Sequence, residues 1–88
     1  METRAHYEVV LFGMRNGYED LMDWVDVDGH RDAVKKAKQQ SRKGGITHTE
    51  VVKNIEFFYL DAPESVWDTK VESRWFYTNG KLTGTTEF

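Results

Sequence analysis

Two Asn-Gly dipeptides, Asn16-Gly17 and Asn79-Gly80, constrain this chain more than any other feature of its sequence. A two-residue hairpin loop of the type I′ form needs positive φ at both central residues, and Asn followed by Gly accepts that most readily. Each dipeptide is flanked by β-branched and aromatic residues. HYEVVLFGM precedes the first and YEDLMDWVDVD follows it; ESRWFYT and KLTGTTEF frame the second. Hairpins are therefore predicted near both ends of an 88-residue chain, and whatever lies between must join them.

The turns also predict a register. With Arg15 opposite Tyr18, an unbroken ladder pairs Phe12 with Leu21, Leu11 with Met22, Val10 with Asp23, Val9 with Trp24 and Glu8 with Val25. Both faces of this hairpin are then partly apolar, whereas a half-buried sheet normally keeps one wet face. A cover over the second side is expected. In the last hairpin Thr78 meets Lys81, Tyr77 meets Leu82, Trp75 meets Gly84 and Val71 meets Phe88. A large aromatic opposite a strand glycine is a recognised packing device.

Between the hairpins, GHRDAVKKAKQQSRKGG (residues 29 to 45) reads as a helix. Asp28 or Gly29 caps it, Asp32 sits in the first turn where the helix dipole favours an acid, Arg42 and Lys43 sit in the last, and Gly44 ends it. At 100° per residue, His30, Ala33, Val34, Ala37 and Ser41 share one narrow face. Those side chains are small, so the helix can lie close on a sheet that supplies the larger ones. Arg31, Lys35, Lys38 and Arg42 form a neighbouring basic row about 16 Å long.

A third strand is expected from near Thr49 in ITHTEVVKNIEFFYL, with Val51, Ile55, Phe57 and Tyr59 on one face and Val52, Phe58 and Leu60 on the other. Apolar residues on both faces predict a central strand. Asp61-Ala-Pro-Glu64 carries a helix-start signature, so a short helical turn near 62–66 is expected before a long strand, with a helix running through Glu72 as the alternative. The order is ββαβββ: one domain over residues 1–88, of the α+β class, with a single antiparallel sheet and one helix packed on it.

Composition narrows the function. The chain has no Cys, which excludes disulfides, thiolate metal sites and a cysteine nucleophile. METRAHYE lacks the apolar run of a signal peptide, and a staple-free domain of this size is expected in the cytoplasm. His6, His30 and His48 are far apart, and no HxxxH, HExxH or GxSxG occurs. Trp24-Val-Asp26-Val-Asp28-Gly29 resembles part of a calcium loop, but Trp24 and Lys35 stand where the first and the bidentate ligands belong. No enzyme, no cofactor and no metal site is expected.

Charge is segregated. From His30 to Lys43 six basic residues face one acid, a balance of +5, and the rest of the chain carries −8, giving −3 in all. A polyanion attracted by the helix would meet repulsion from its surroundings within a Debye length. The acids, Asp20, Asp23, Asp26 and Asp28 among them, are accounted for by solubility. These features predict a non-enzymatic module that binds another protein and forms a homodimer, of the accessory or inhibitor kind that phages and mobile elements encode. Trp24, Met22, Tyr18, Phe76, Asp23 and Asp26 are the expected contact residues, since aromatic side chains are the usual interface anchors. The alternative is a nucleic-acid-binding module that uses Arg31, Lys35, Lys38 and Arg42 of the basic helix 30–43 to track phosphates, with exposed aromatics stacking on bases. No membrane contact is expected.

Overall fold

A computed structural model of the chain describes residues 2–59 and 66–87, apart from the side chains of residues 59, 66 and 67. Strands β1 (Glu2–Arg15) and β2 (Tyr18–Val27) form the first hairpin. Helix α1 (His30–Ser41) follows, then β3 (Ile46–Tyr59), β4 (Val66–Thr78) and β5 (Lys81–Glu87). The five strands make one antiparallel sheet in the order β2-β1-β3-β4-β5, with α1 packed on one face. The expected α+β architecture is therefore the observed one, and β3 is its central strand.

Both Asn-Gly turns have the backbone the sequence asks for: φ is +53° and +83° at Asn16 and Gly17, and +49° and +79° at Asn79 and Gly80. Arg15 pairs with Tyr18, and Thr78 with Lys81. Beyond the turns the predicted registers slip, because each ladder carries a bulge. In the first hairpin Phe12 still meets Leu21, but Met22 is extra, so Leu11 faces Asp23, Val10 faces Trp24 and Val9 faces Val25. Asp20 and Asp23 flank the bulge, and their Oδ1 atoms accept the Leu21 and Trp24 amides at 2.8 Å each. Local side-chain acceptors of this kind compete with the ladder for backbone donors. In the last hairpin Thr83 is extra, so Phe76, not Trp75, faces Gly84, and Trp75 faces Thr85.

The same device recurs at the other two ladders. Thr47 is extra where β1 meets β3, and its Oγ1 donates to the Phe12 carbonyl at 3.2 Å. Glu72 is extra where β3 meets β4, and it accepts from Lys53 Nζ at 3.2 Å. β3 begins at Ile46, three residues before the expected start at Thr49. Val66 already opens β4, so a helix through Glu72 is ruled out, and the helical turn predicted near 62–66 otherwise lies outside the described residues. The predicted pairing of Val71 with Phe88 does too.

The helix starts as predicted, with Gly29 as N-cap and no side-chain cap. It ends at Ser41, not Lys43: Arg42 is the C-cap, Lys43 lies beyond, and the positive φ falls on Gly45 (+88°) instead of Gly44. The reason is packing. Ser41 Oγ accepts the Gly80 amide at 2.8 Å and donates to the Lys38 carbonyl at 2.9 Å, tying the last turn to the β4–β5 loop. Gly45 then folds back so that its carbonyl lies where a Cβ on Gly13 would be. Ala33 and Ala37 are fully buried on Val9, Val51 and Tyr77, with Tyr7, Leu11, Val25, Val34 and Trp75 around them. Each buried valine is worth about 1.5–3 kcal/mol. Thr49 Oγ1 donates to the Ala37 carbonyl at 2.9 Å and fixes the helix along β3. At 1.5 Å per residue the helix is about 18 Å long, well under half of the roughly 46 Å that β3 spans, so it covers only one part of the sheet.

Candidate functional site: the open face of the sheet

Side chains alternate along a strand, so the residues next to the core positions point to the face that carries no helix. Val9 is core, and Val10 is on the open face; Tyr77 is core, and Phe76 is on the open face. Cross-strand pairing then draws a row across four strands and onto a fifth: Trp24, Val10, Glu50, Phe76 and Gly84. Leu21, Phe12 and His48 form the row on one side of it. Asp26, Glu8, Val52 and Arg74 form the row on the other. Among the described residues no element covers this face. Of the two covers that the two-sided hairpin predicts, the loop at 61–67 of the same chain or a partner surface, the loop falls mostly outside the described residues.

The chemistry of the face is mixed. Val10 and Val52 are buried by their neighbours, and so are Glu50 at 6% and Asn54 at 5% exposure. Trp24 stands 60% exposed, with Leu21 and Met14 also exposed toward the hairpin end. The Phe12 and His48 rings stack at 4.5 Å with 6° between their planes. Glu19 holds this pair from the edge strand: its carboxylate, 2.8 Å from Thr47 Oγ1, shares that single hydroxyl proton with the Phe12 carbonyl, and it lies 3.3 Å from His48 Nδ1. At the other end His6, Glu8, Asp26, Asn54, Glu56 and Arg4 make a polar cluster. Arg4 pairs with Glu56 at 2.8 Å, and His6 Nε2 lies 3.0 Å from Asp26 Oδ1.

The predicted contact residues divide between two faces. Trp24, Phe76 and Asp26 lie together on the open face. Asp23 pairs with Leu11 and so points to the helix side. Met22 and Tyr18 join it: the Met22 side chain touches the space beside Gly13 and Gly45, and Arg15, which pairs with Tyr18, reaches Met22 Sδ at 4.0 Å. The slip at the bulge decides this. An unbroken ladder would have put Trp24 opposite Val9, on the helix face.

The basic row is also altered. Arg31, Lys35 and Lys38 line one shallow groove along α1 with Asp32 and Val34. Arg42 lies beyond the helix over the β4–β5 turn, where its guanidinium occupies the space a Cβ on Gly80 would take. This row is on the opposite side of the molecule from Trp24 and Phe76, so phosphate tracking by the helix and base stacking by those rings cannot serve one strand of nucleic acid. His30 is an exposed histidine at the edge of the core: its ring meets Tyr7 at 5.5 Å and Trp75 at 4.6 Å, edge-on to both.

Sequence reasoning missed the convergence of His6, Glu8 and Asp26. His-x-Glu on a strand was the available signal, since positions i and i+2 share a face. Their partner depends on the bulge, which moves Asp26 into the place opposite Glu8 that Val25 would otherwise hold. No helix of the described residues is long and apolar enough to cross a membrane. No protein-family model matches the chain, and no curated protein or solved structure does either.

Proposed function

We propose that this chain is a non-enzymatic protein-binding module of the accessory or inhibitor kind, which lays the open face of its sheet on another protein, a second copy of itself included. The observation that supports this reading most is Trp24, 60% exposed at one end of a row in which Val10 and Phe76 flank a buried Glu50 and which has no covering layer among the described residues. Interface cores are rich in such aromatics and are ringed by polar groups. Here Asp26, Glu8 and Glu19 supply an acidic rim beside the row, so the partner surface is apolar at its centre and basic beside it.

Sedimentation velocity of the purified chain over a wide concentration range tests the self-association part. The wild type should associate, and Trp24→Asp combined with Phe76→Asp should remove association while circular dichroism and the melting temperature stay as they were. A wild type that remains monomeric at several hundred micromolar contradicts self-association. An associating double variant contradicts the assignment of the face.

A further inference from the structure

We propose that His6, Glu8 and Asp26 form a binding site for a divalent first-row transition ion, of which zinc is the type. His6 and Glu8 project from alternate positions of β1, and the ladder sets Asp26 of β2 opposite Glu8. His6 Nε2 lies 3.0 Å from Asp26 Oδ1 and 3.8 Å from Glu8 Oε1, and all three donor atoms lie within 4.8 Å of one another. Tetrahedral zinc, bound at about 2.0–2.2 Å, holds its donor atoms about 3.3 Å apart, so the three side chains need only small rotations to share an ion.

Hydrogen bonding leaves a reason for an ion to be there. Nε2 carries at most one proton, yet two carboxylates converge on it. Asp26 stands at bonding distance and Glu8, held by Asn54, does not, so two carboxylates meet on one side of the ring with at most one ring proton between them. A cation between them satisfies both.

The groups behind these three are arranged as metal sites require. Asn54, 5% exposed, donates Nδ2 to Glu8 Oε1 at 3.2 Å and orients that carboxylate. Glu56 Oε1 lies 3.8 Å from His6 Nδ1, on the far side of the imidazole, and Arg4 holds Glu56 at 2.8 Å. At that distance Glu56 makes no hydrogen bond to Nδ1, but its negative charge lies behind the ring and favours a cation on the other nitrogen. The Asp26 side chain is 70% exposed, so the ion keeps an open position toward solvent. One imidazole with two carboxylates suits zinc, manganese or iron, whereas magnesium and calcium prefer oxygen donors throughout.

Calorimetric titration of the intact chain with zinc, and the visible absorption of cobalt added in its place, test the site. One saturable site per chain in the micromolar range is expected, with a melting temperature that rises as zinc saturates it. His6→Ala should abolish binding. Asp26→Asn, at an exposed position where the fold has little to lose, should abolish the zinc-dependent rise in melting temperature as well. Glu56→Gln should weaken binding about tenfold, and His48→Ala, at the other end of the face, should leave it unchanged. Absence of saturable zinc binding in the wild type overturns the proposal, as does wild-type affinity in His6→Ala or Asp26→Asn. Binding of magnesium as tight as that of zinc overturns the imidazole as a ligand.

Discussion

The two faces of this sheet are built from the same strands, yet they use their large side chains in opposite ways. On the helix face Val9, Val51, Thr49 and Tyr77 are sealed under Ala33 and Ala37, and the small alanines let the helix sit close. On the open face valines and buried polar residues pack flat against the strands, while Trp24, Leu21 and Met14 stand into solvent. The helix face spends its apolar surface on holding the fold. The open face keeps Trp24 available to solvent.

The same substitution should therefore have opposite consequences on the two sides. Val51→Asp places a carboxylate with no partner at the centre of the core and should cost at least about 3 kcal/mol, enough to unfold a marginally stable domain. Trp24→Asp should change stability by less than about 0.5 kcal/mol and act on association alone. Equilibrium urea unfolding of both variants checks this; equal destabilisation would mean that Trp24 is a core residue.

Glycines sharpen the contrast. A Cβ at Gly13 would collide with the Gly45 carbonyl, where the loop after the helix closes on β1, so Gly13→Ala should cost about 1–3 kcal/mol. A Cβ at Gly84 would meet only the Phe76 ring, at an ordinary 3.8 Å, so Gly84→Ala should be tolerated. Thermal melts of the pair should separate them clearly.

Much of this was legible in the sequence. The Asn-Gly turns, the small-residue helix face and the two-sided apolar pattern of β3 fix the element order and the central strand. The registers were legible only up to the bulges, because three of the four carry polar side chains that bond to nearby backbone: Thr47 to the Phe12 carbonyl, Thr83 to the Phe76 carbonyl, and Asp20 and Asp23 to the Leu21 and Trp24 amides. At the fourth, Glu72 bonds the Lys53 side chain. Alternation counted through such a residue assigns every later side chain to the wrong face. That is why Trp24 looked like a partner of Val9, and why Asp26 was not seen beside His6 and Glu8. The helix end was missed for a similar reason, since Ser41 answers to Gly80, thirty-nine residues away.

Smaller effects probe how the helix is held. Thr49→Val keeps the shape but removes the bond to the Ala37 carbonyl and should cost about 1 kcal/mol by chemical denaturation. Burial pushes the Tyr77 hydroxyl above its ordinary pKa. The fold thus favours the neutral phenol: stability is unaffected below about pH 10 and falls as pH rises from there through the folded-state value. Unfolding measured across that alkaline range should show a shallower loss in Tyr77→Phe.

The central claim is that the open face, not the basic helix, meets the partner. The most direct measurement places a photoreactive benzoylphenylalanine at position 24 in one variant and at position 35 in another, each irradiated in cells that express the chain. A protein adduct from position 24, with none from position 35, is the predicted result. Adducts from position 35 alone, to protein or to nucleic acid, would contradict the account and make the basic row of α1 the working surface.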